Sequence, residues 1–192
     1  MLQTLIAAFV VVFLAELGDK SQILALAFAT RYRAVNTLIG LAIATALMMT
    51  IAVGAGVLVG DRLNPRDLSL VAGMVFIGFA IWTLLEPSLA DEAEEAARLT
   101  GGSRTRTVFG IAAAFVLAEF GDKTMLATIA LAAKQPPVAV WIGAFTGMLV
   151  GDGLAVVLGD RLAQMVSPKA IRFGSAAAFG IIGLALLIEG LR

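Results

Sequence analysis

Residues 16–21 read Glu16-Leu-Gly-Asp-Lys-Ser21, and residues 119–124 read Glu119-Phe-Gly-Asp-Lys-Thr124. Both hexapeptides lie inside long apolar stretches, where a single charge at the centre of a bilayer costs about 2.5–3.5 kcal/mol on insertion scales. Their offset, 119 minus 16, is 103 residues. The same offset pairs Ile39-Gly40 with Ile142-Gly143, and Leu84-Leu85-Glu86 with Leu187-Ile188-Glu189. Gly60-Asp-Arg-Leu63 matches Gly159-Asp-Arg-Leu162 at an offset of 99, a slip assigned to a four-residue length difference in the second apolar stretch. The second half of the chain repeats the first.

Composition sets the environment of this repeat. Of 192 residues, 60% are apolar and 15% charged, with a mean hydropathy of +0.96, which exceeds what a water-soluble core requires. A spanning helix needs about 20 apolar residues. Six stretches offer them: Leu2 to Ala29, Thr37 to Val59, Leu68 to Leu85, Thr107 to Ala133, Val138 to Leu158 and Ala170 to Ile188. The runs are too long for strands and lack period-two alternation, so the expected fold is an all-α integral membrane protein of six transmembrane helices. The first stretch has no basic residue ahead of its apolar run and continues past Glu16, so it is expected to remain in the mature protein rather than to act as a signal peptide.

One hydrophilic interval separates the halves. It runs from Glu86 to Arg106 through Pro87, the acids Asp91, Glu92, Glu94 and Glu95, and Gly101-Gly102. The expected organisation is a first three-helix repeat over 1–86, a solvated linker over 87–106 and a second repeat over 107–192 in one membrane domain. Three spans are an odd number, so successive copies enter the membrane from opposite sides and form an inverted pair. Arg62, Arg66, Lys134 and Arg192 flank the spans on one side; Arg31, Arg33, Arg98, Arg104, Arg106, Arg161, Lys169 and Arg172 flank them on the other. This bias places the linker in the cytoplasm and both termini outside it.

Charge and residue types exclude several functions. Fourteen Lys and Arg balance fourteen Asp and Glu, which leaves no basic excess for nucleic acid. Without Cys or His there is no disulfide, no thiolate or imidazole metal ligand, and no Cys or His nucleophile. Metal or proton chemistry falls to carboxylates and neutral oxygens. No Gly-rich phosphate loop is present, so direct ATP drive is not expected.

On a continuous helix, Glu16, Asp19 and Lys20 would project from one face, as would Glu119, Asp122 and Lys123. Gly18 and Gly121 beside them would permit close helix approach or local unwinding that frees carbonyl oxygens. In the plainer reading, Glu16–Lys20 and Glu119–Lys123 are ion pairs that lock helices together. Two motifs, each with a carboxylate beyond its lysine, favour an ion pathway instead. Glu16, Asp19, Glu119 and Asp122, with Ser21, Thr124 and Gln22, offer the oxygen shell that suits Ca²⁺, Mn²⁺ or Mg²⁺. Lys20 and Lys123 are then ion-pair or gating groups. A fifth acid, Asp152, stands within Gly151-Asp-Gly153 and aligns with Met49 at the repeat offset, so the site is not symmetric. Asp152 is a candidate metal ligand or proton carrier, and Met48 and Met49 are candidate thioether donors, although Met in an apolar helix ordinarily packs. Gly54, Gly56, Gly60, Gly143, Gly147, Gly180 and Gly183 read as sites of tight helix packing.

The paired hexapeptides resemble those of the family of Golgi calcium/manganese transporters and bacterial manganese exporters, which carries Glu-x-Gly-Asp-Lys/Arg-Ser/Thr twice in an inverted pair of three-helix repeats. The resemblance covers nearly the whole chain. It implies secondary transport of Mn²⁺ or Ca²⁺ in exchange for H⁺ or another cation, with Glu16, Asp19, Glu119 and Asp122 as the central acids and Ser21 and Thr124 at the hydroxyl positions. Bacterial members carry an Asn-His pair where Met48 and Met49 stand here, a departure that bears on metal preference and proton coupling. The expected function is Mn²⁺ export against protons, with Ca²⁺ the competing cargo, in a bacterial inner membrane. The metal is expected as cargo, no resident cofactor is expected, and the chain is not expected to be an enzyme. A divalent-cation channel and a structural membrane protein held by buried ion pairs are the alternatives.

Overall fold

A computed structural model describes residues 1–17, 19–85, 103–158 and 168–191, apart from the side chains at 20 and 168–172. The described residues form eight helices: α1 Leu2–Glu16, α2 Lys20–Arg31, α3 Ala34–Gly60, α4 Pro65–Leu85, α5 Arg104–Glu119, α6 Lys123–Lys134, α7 Pro137–Leu158 and α8 Pro168–Leu191. They contain no strand. Each half supplies two short helices followed by two long ones, and α2, α3 and α4 begin 103 residues before α6, α7 and α8. The linker expected over 87–106 falls mostly outside the described residues, as do its acidic run and the Gly159–Leu162 half of the shifted match.

The first and fourth apolar stretches are not continuous helices. Each breaks inside its hexapeptide, α1 and α2 being bent by 72°. The two breaks are built alike. The residue after each glutamate turns extended, Leu17 at φ −62, ψ 118 and Phe120 at φ −64, ψ 116. Asp19 and Asp122 then donate their backbone N–H groups to the Glu16 and Glu119 carbonyls, both at 3.1 Å. At Gly121 φ reaches +80°, a conformation that a side chain would strain, which is why glycine stands there.

By length and apolarity, α3, α4, α7 and Phe173–Leu191 of α8 can each cross a membrane, and the bent pair α1–α2 can make a fifth span. The chain is a multi-pass membrane protein. Prolines open α4, α7 and α8, where the missing N–H would have lacked a helical partner in any case. Asn64 caps α4 reciprocally: its Oδ1 accepts from the Asp67 N–H at 2.9 Å, and its Nδ2 donates to Asp67 Oδ2 at 2.7 Å.

Glycines set the helix contacts, because lipid offers no hydrophobic drive for helices to associate and close backbone packing must supply it. A Cβ on Gly143 would lie 2.4 Å from the Leu5 carbonyl oxygen, one on Gly147 2.7 Å from that of Phe9, and one on Gly151 2.9 Å from Glu16 Cβ. This row presses α7 along α1 up to the first motif. With the roles of the halves exchanged, Gly40 of α3 meets the Val108 carbonyl and Ile111 of α5, the same contact moved by 103 residues. Gly56 and Gly60 seat α3 on α6 at the Ile129 and Ala133 carbonyls, and Gly73 and Gly183 seat α4 against α8. Gly54 touches nothing within 4 Å and Gly180 only Ala80 at 3.9 Å, so those two do not perform the packing role expected of them. Aromatic rings fill the rest: Phe28 lies 6.0 Å from Phe115, and Phe76 lies 6.0 Å from its repeat counterpart Phe179.

Candidate metal centre

The breaks in the two motifs bring their acids together. One carboxylate oxygen from each of Glu16, Asp19 and Glu119 lies within 4.8 Å of the others, and all three residues are buried. Oxygens on opposite sides of a Ca²⁺ ion stand about 4.6–5.2 Å apart, and around the smaller Mg²⁺ about 4.0–4.2 Å. The three acids thus have the spacing of a divalent-ion shell. Asp152 of α7 is fully buried and within electrostatic reach of Glu16 and Asp19, as Glu119 is of Asp122 and Asp152. Five acids from both halves therefore share one interior region.

Neutral oxygens surround Glu16. Ser21 Oγ donates to its Oε2 and Thr124 Oγ1, from the opposite half, to its Oε1, each at 2.5 Å. The two motif hydroxyls thus converge on one carboxylate. Gln22 is also buried, and its Nε2 donates to the Gly151 carbonyl at 2.8 Å, which ties α2 to α7 beside Asp152.

The charges do not pair as a continuous helix would pair them. Lys123 Nζ lies 2.7 Å from Asp19 Oδ2, an ion pair between the halves with both side chains buried. Glu119, expected as the partner of Lys123 in the plainer reading, has no hydrogen-bond partner at either carboxylate oxygen. The break explains this correction: Glu119 ends α5 and Lys123 begins α6, so the four-residue spacing no longer stacks their side chains on one helix face. The Lys20 side chain, and with it the Glu16–Lys20 pairing, lies outside the described residues. Both oxygens of Asp152 also lack hydrogen-bond partners. Buried carboxylates are ordinarily satisfied, so such orphans make this a candidate place for an ion or proton.

The methionines form a cluster that the sequence reading saw only in part. Met48 and Met49 are buried with Met125 and Met148 in one group beside Val12 and Ala144. Thr128 links this cluster to the acids: its hydroxyl donates to the Thr124 carbonyl at 2.8 Å and contacts Met49 Sδ at 3.6 Å. The available signal was spacing, since Thr128 follows Thr124 by one helical turn and Met125 adjoins it.

A family profile for divalent cation/proton antiporters of the GDT1 type matches residues 4–91 and 107–192. The chain belongs to the GDT1 family. It is 33% identical over 177 residues to a Vibrio cholerae protein named "Putative manganese exporter", covering 91% of this chain and 85% of that protein. It is 31% identical to the chloroplast protein PAM71 of Arabidopsis thaliana and 30% identical to the chloroplast GDT1-like protein 2 of Oryza sativa, over 95% and 93% of this chain. The chain spans little more than half the length of those two plant proteins, 56% and 59%. No solved structure matches. Membership makes a divalent metal ion and protons the partners of the family's transport activity, and the GDT1 family is one of cation transporters rather than of enzymes.

Proposed function

We propose that this chain exports Mn²⁺ from the cytoplasm in exchange for protons, with Ca²⁺ as the competing cargo. The metal ligands are Glu16, Asp19, Glu119 and Asp122, with Asp152, Ser21, Thr124 and Gln22 completing or orienting the site. The metal is cargo and not a resident cofactor. In this reading the chain crosses a bacterial inner membrane six times. Residues 1–86 and 107–192 form inverted halves, with α1–α2 and α5–α6 each making one broken span, the linker over 87–106 in the cytoplasm and both termini outside it. The halves rock about the site, and the carboxylates carry either metal or protons.

The observation that carries this reading is the convergence of three acids from both halves within 4.8 Å, with Glu119 left unpartnered and buried. Family membership supplies the class of cargo and counter-ion, and the name of the Vibrio cholerae relative favours Mn²⁺. Burial of the acids fits a carrier that occludes its cargo better than an open pore.

The test is metal-dependent proton flux in proteoliposomes, with Mn²⁺, Ca²⁺, Mg²⁺ and Zn²⁺ compared side by side. Mn²⁺ should drive counter-flow of protons, and an imposed pH gradient should drive Mn²⁺ uptake. Mn²⁺ movement indifferent to the pH gradient would refute exchange, and no divalent flux at all would refute transport.

A further inference from the structure

Resting on the carboxylate site as the place where cargo binds, we propose that Lys123 is a tethered counter-cation: its ammonium group holds Asp19 while the site lacks metal, and an incoming divalent ion displaces it. Asp19 is both the partner of Lys123 at 2.7 Å and one of the three acids whose oxygens form the candidate shell. The ammonium therefore stands in ion-pair contact with a carboxylate of the proposed shell. Both side chains are nearly inaccessible, 4% and 2% exposed, so water screens little between an ammonium group and an arriving divalent ion. Two cations competing for one carboxylate in that setting repel, and the doubly charged one displaces the singly charged one.

Lysine suits this exchange. Its charge is a compact point on a flexible four-carbon stem, able to leave one carboxylate and remain near others, whereas a bidentate guanidinium would grip Asp19 through two bonds. Asp122 precedes Lys123 in the second motif, so a displaced ammonium keeps an acid beside it in sequence.

The pair also joins the two halves, since Asp19 precedes α2 and Lys123 opens α6. Metal that takes Asp19 from Lys123 replaces an ion pair between the halves with coordination by acids of both.

The experiment compares wild-type protein with Lys123→Met, Lys123→Arg and Glu16→Gln, measuring Mn²⁺ affinity by calorimetry in detergent and turnover in proteoliposomes. Removing the competitor should make Lys123→Met bind Mn²⁺ about tenfold more tightly or better while its turnover falls, because nothing returns to expel the metal. Lys123→Arg should move affinity back toward wild type. A folded Lys123→Met with wild-type or weaker Mn²⁺ affinity would overturn the proposal, as would tighter binding with undiminished turnover. Wild-type protein provides a second measurement that needs no variant: acylation of Lys123 by an amine-reactive probe, followed by mass spectrometry, should accelerate on adding Mn²⁺, and an unchanged or slower rate overturns the displacement. Saturable Mn²⁺ binding by wild type that Glu16→Gln loses upholds the carboxylate site even where Lys123 fails these tests. Absence of Mn²⁺ binding by wild type sinks both.

Discussion

Glu119→Gln separates a binding site from a structural ion pair because the two readings give opposite signs. Gln conserves the volume of Glu, and Glu119 makes no hydrogen bond that the substitution would break. What the substitution removes is charge. With oxygens within 4.8 Å of each other, ionised Glu16 and Glu119 repel by about 3.5 kcal/mol at an effective dielectric constant of 20. Asp19 is left out of this figure because Lys123 offsets it. Protons entering the empty site relieve part of the repulsion, so only part of it appears as stability gained without metal. Wild type at a hundredfold excess of Mn²⁺ over its dissociation constant should gain about 2.7 kcal/mol, or roughly 5–11 °C in melting temperature for a chain of this size. Glu119→Gln should melt at or above the wild-type temperature without metal, lose the Mn²⁺-dependent rise and transport nothing. The assay is thermal unfolding in detergent with and without Mn²⁺, beside liposome flux. A variant that melts lower without metal while keeping the Mn²⁺ shift would refute the site and restore Glu119 as a structural residue.

Other outcomes follow from the same geometry. Mn²⁺ affinity should fall as pH drops, because protons and metal compete for the same oxygens; calorimetry showing no change from mildly acidic to mildly alkaline buffer would remove proton exchange. Asp152→Asn should weaken Mn²⁺ binding or uncouple protons, whereas Met49→Leu should chiefly change selectivity among metals, as flux measured with each ion would show. Gly143→Ala places a Cβ 2.4 Å from the Leu5 carbonyl and should lower the melting temperature, while Gly54→Ala, with nothing within 4 Å, should raise stability by up to about 1 kcal/mol through helix propensity. A cysteine at Gly101 should be labelled only from the cytoplasmic side and one added after Arg192 only from the other; labelling of both from one face contradicts six spans.

The acids of the site were legible because a charge inside an apolar run is conspicuous and because the run occurs twice. Glu16, Asp19 and Glu119 could be grouped before any coordinates, and Asp152 could be added as a fifth acid, since each needed a reason to be in lipid. The break was harder to read. Leu2 to Ala29 is a nearly unbroken apolar run, and periodicity alone makes it one helix. Gly-Asp-Lys followed by Ser or Thr is, however, a helix stop followed by a start: Gly121 takes the left-handed turn and Asp122, with extended backbone at ψ 170°, opens α6. The plainer reading, with the motif as a continuous helix, put Lys123 with Glu119, whereas its ion pair is with Asp19. Met148 carried no signal, because a methionine lining a site and one filling a core look alike in sequence, and Met125 had only its place beside Thr124.

The helix break decides between a staple and a site. A continuous helix would stack each lysine on the glutamate four residues before it, and each glutamate would be paired within its own span. Breaking the helix after the glutamate moves Lys123 onto a new axis, where it reaches Asp19 of the other half. Glu119 is then left buried without a partner, and Glu16 is held by two hydroxyls, one from each motif. Glycine and aspartate at the third and fourth motif positions therefore decide which carboxylate is left over, by preventing the i to i+4 pairing that would take Glu119.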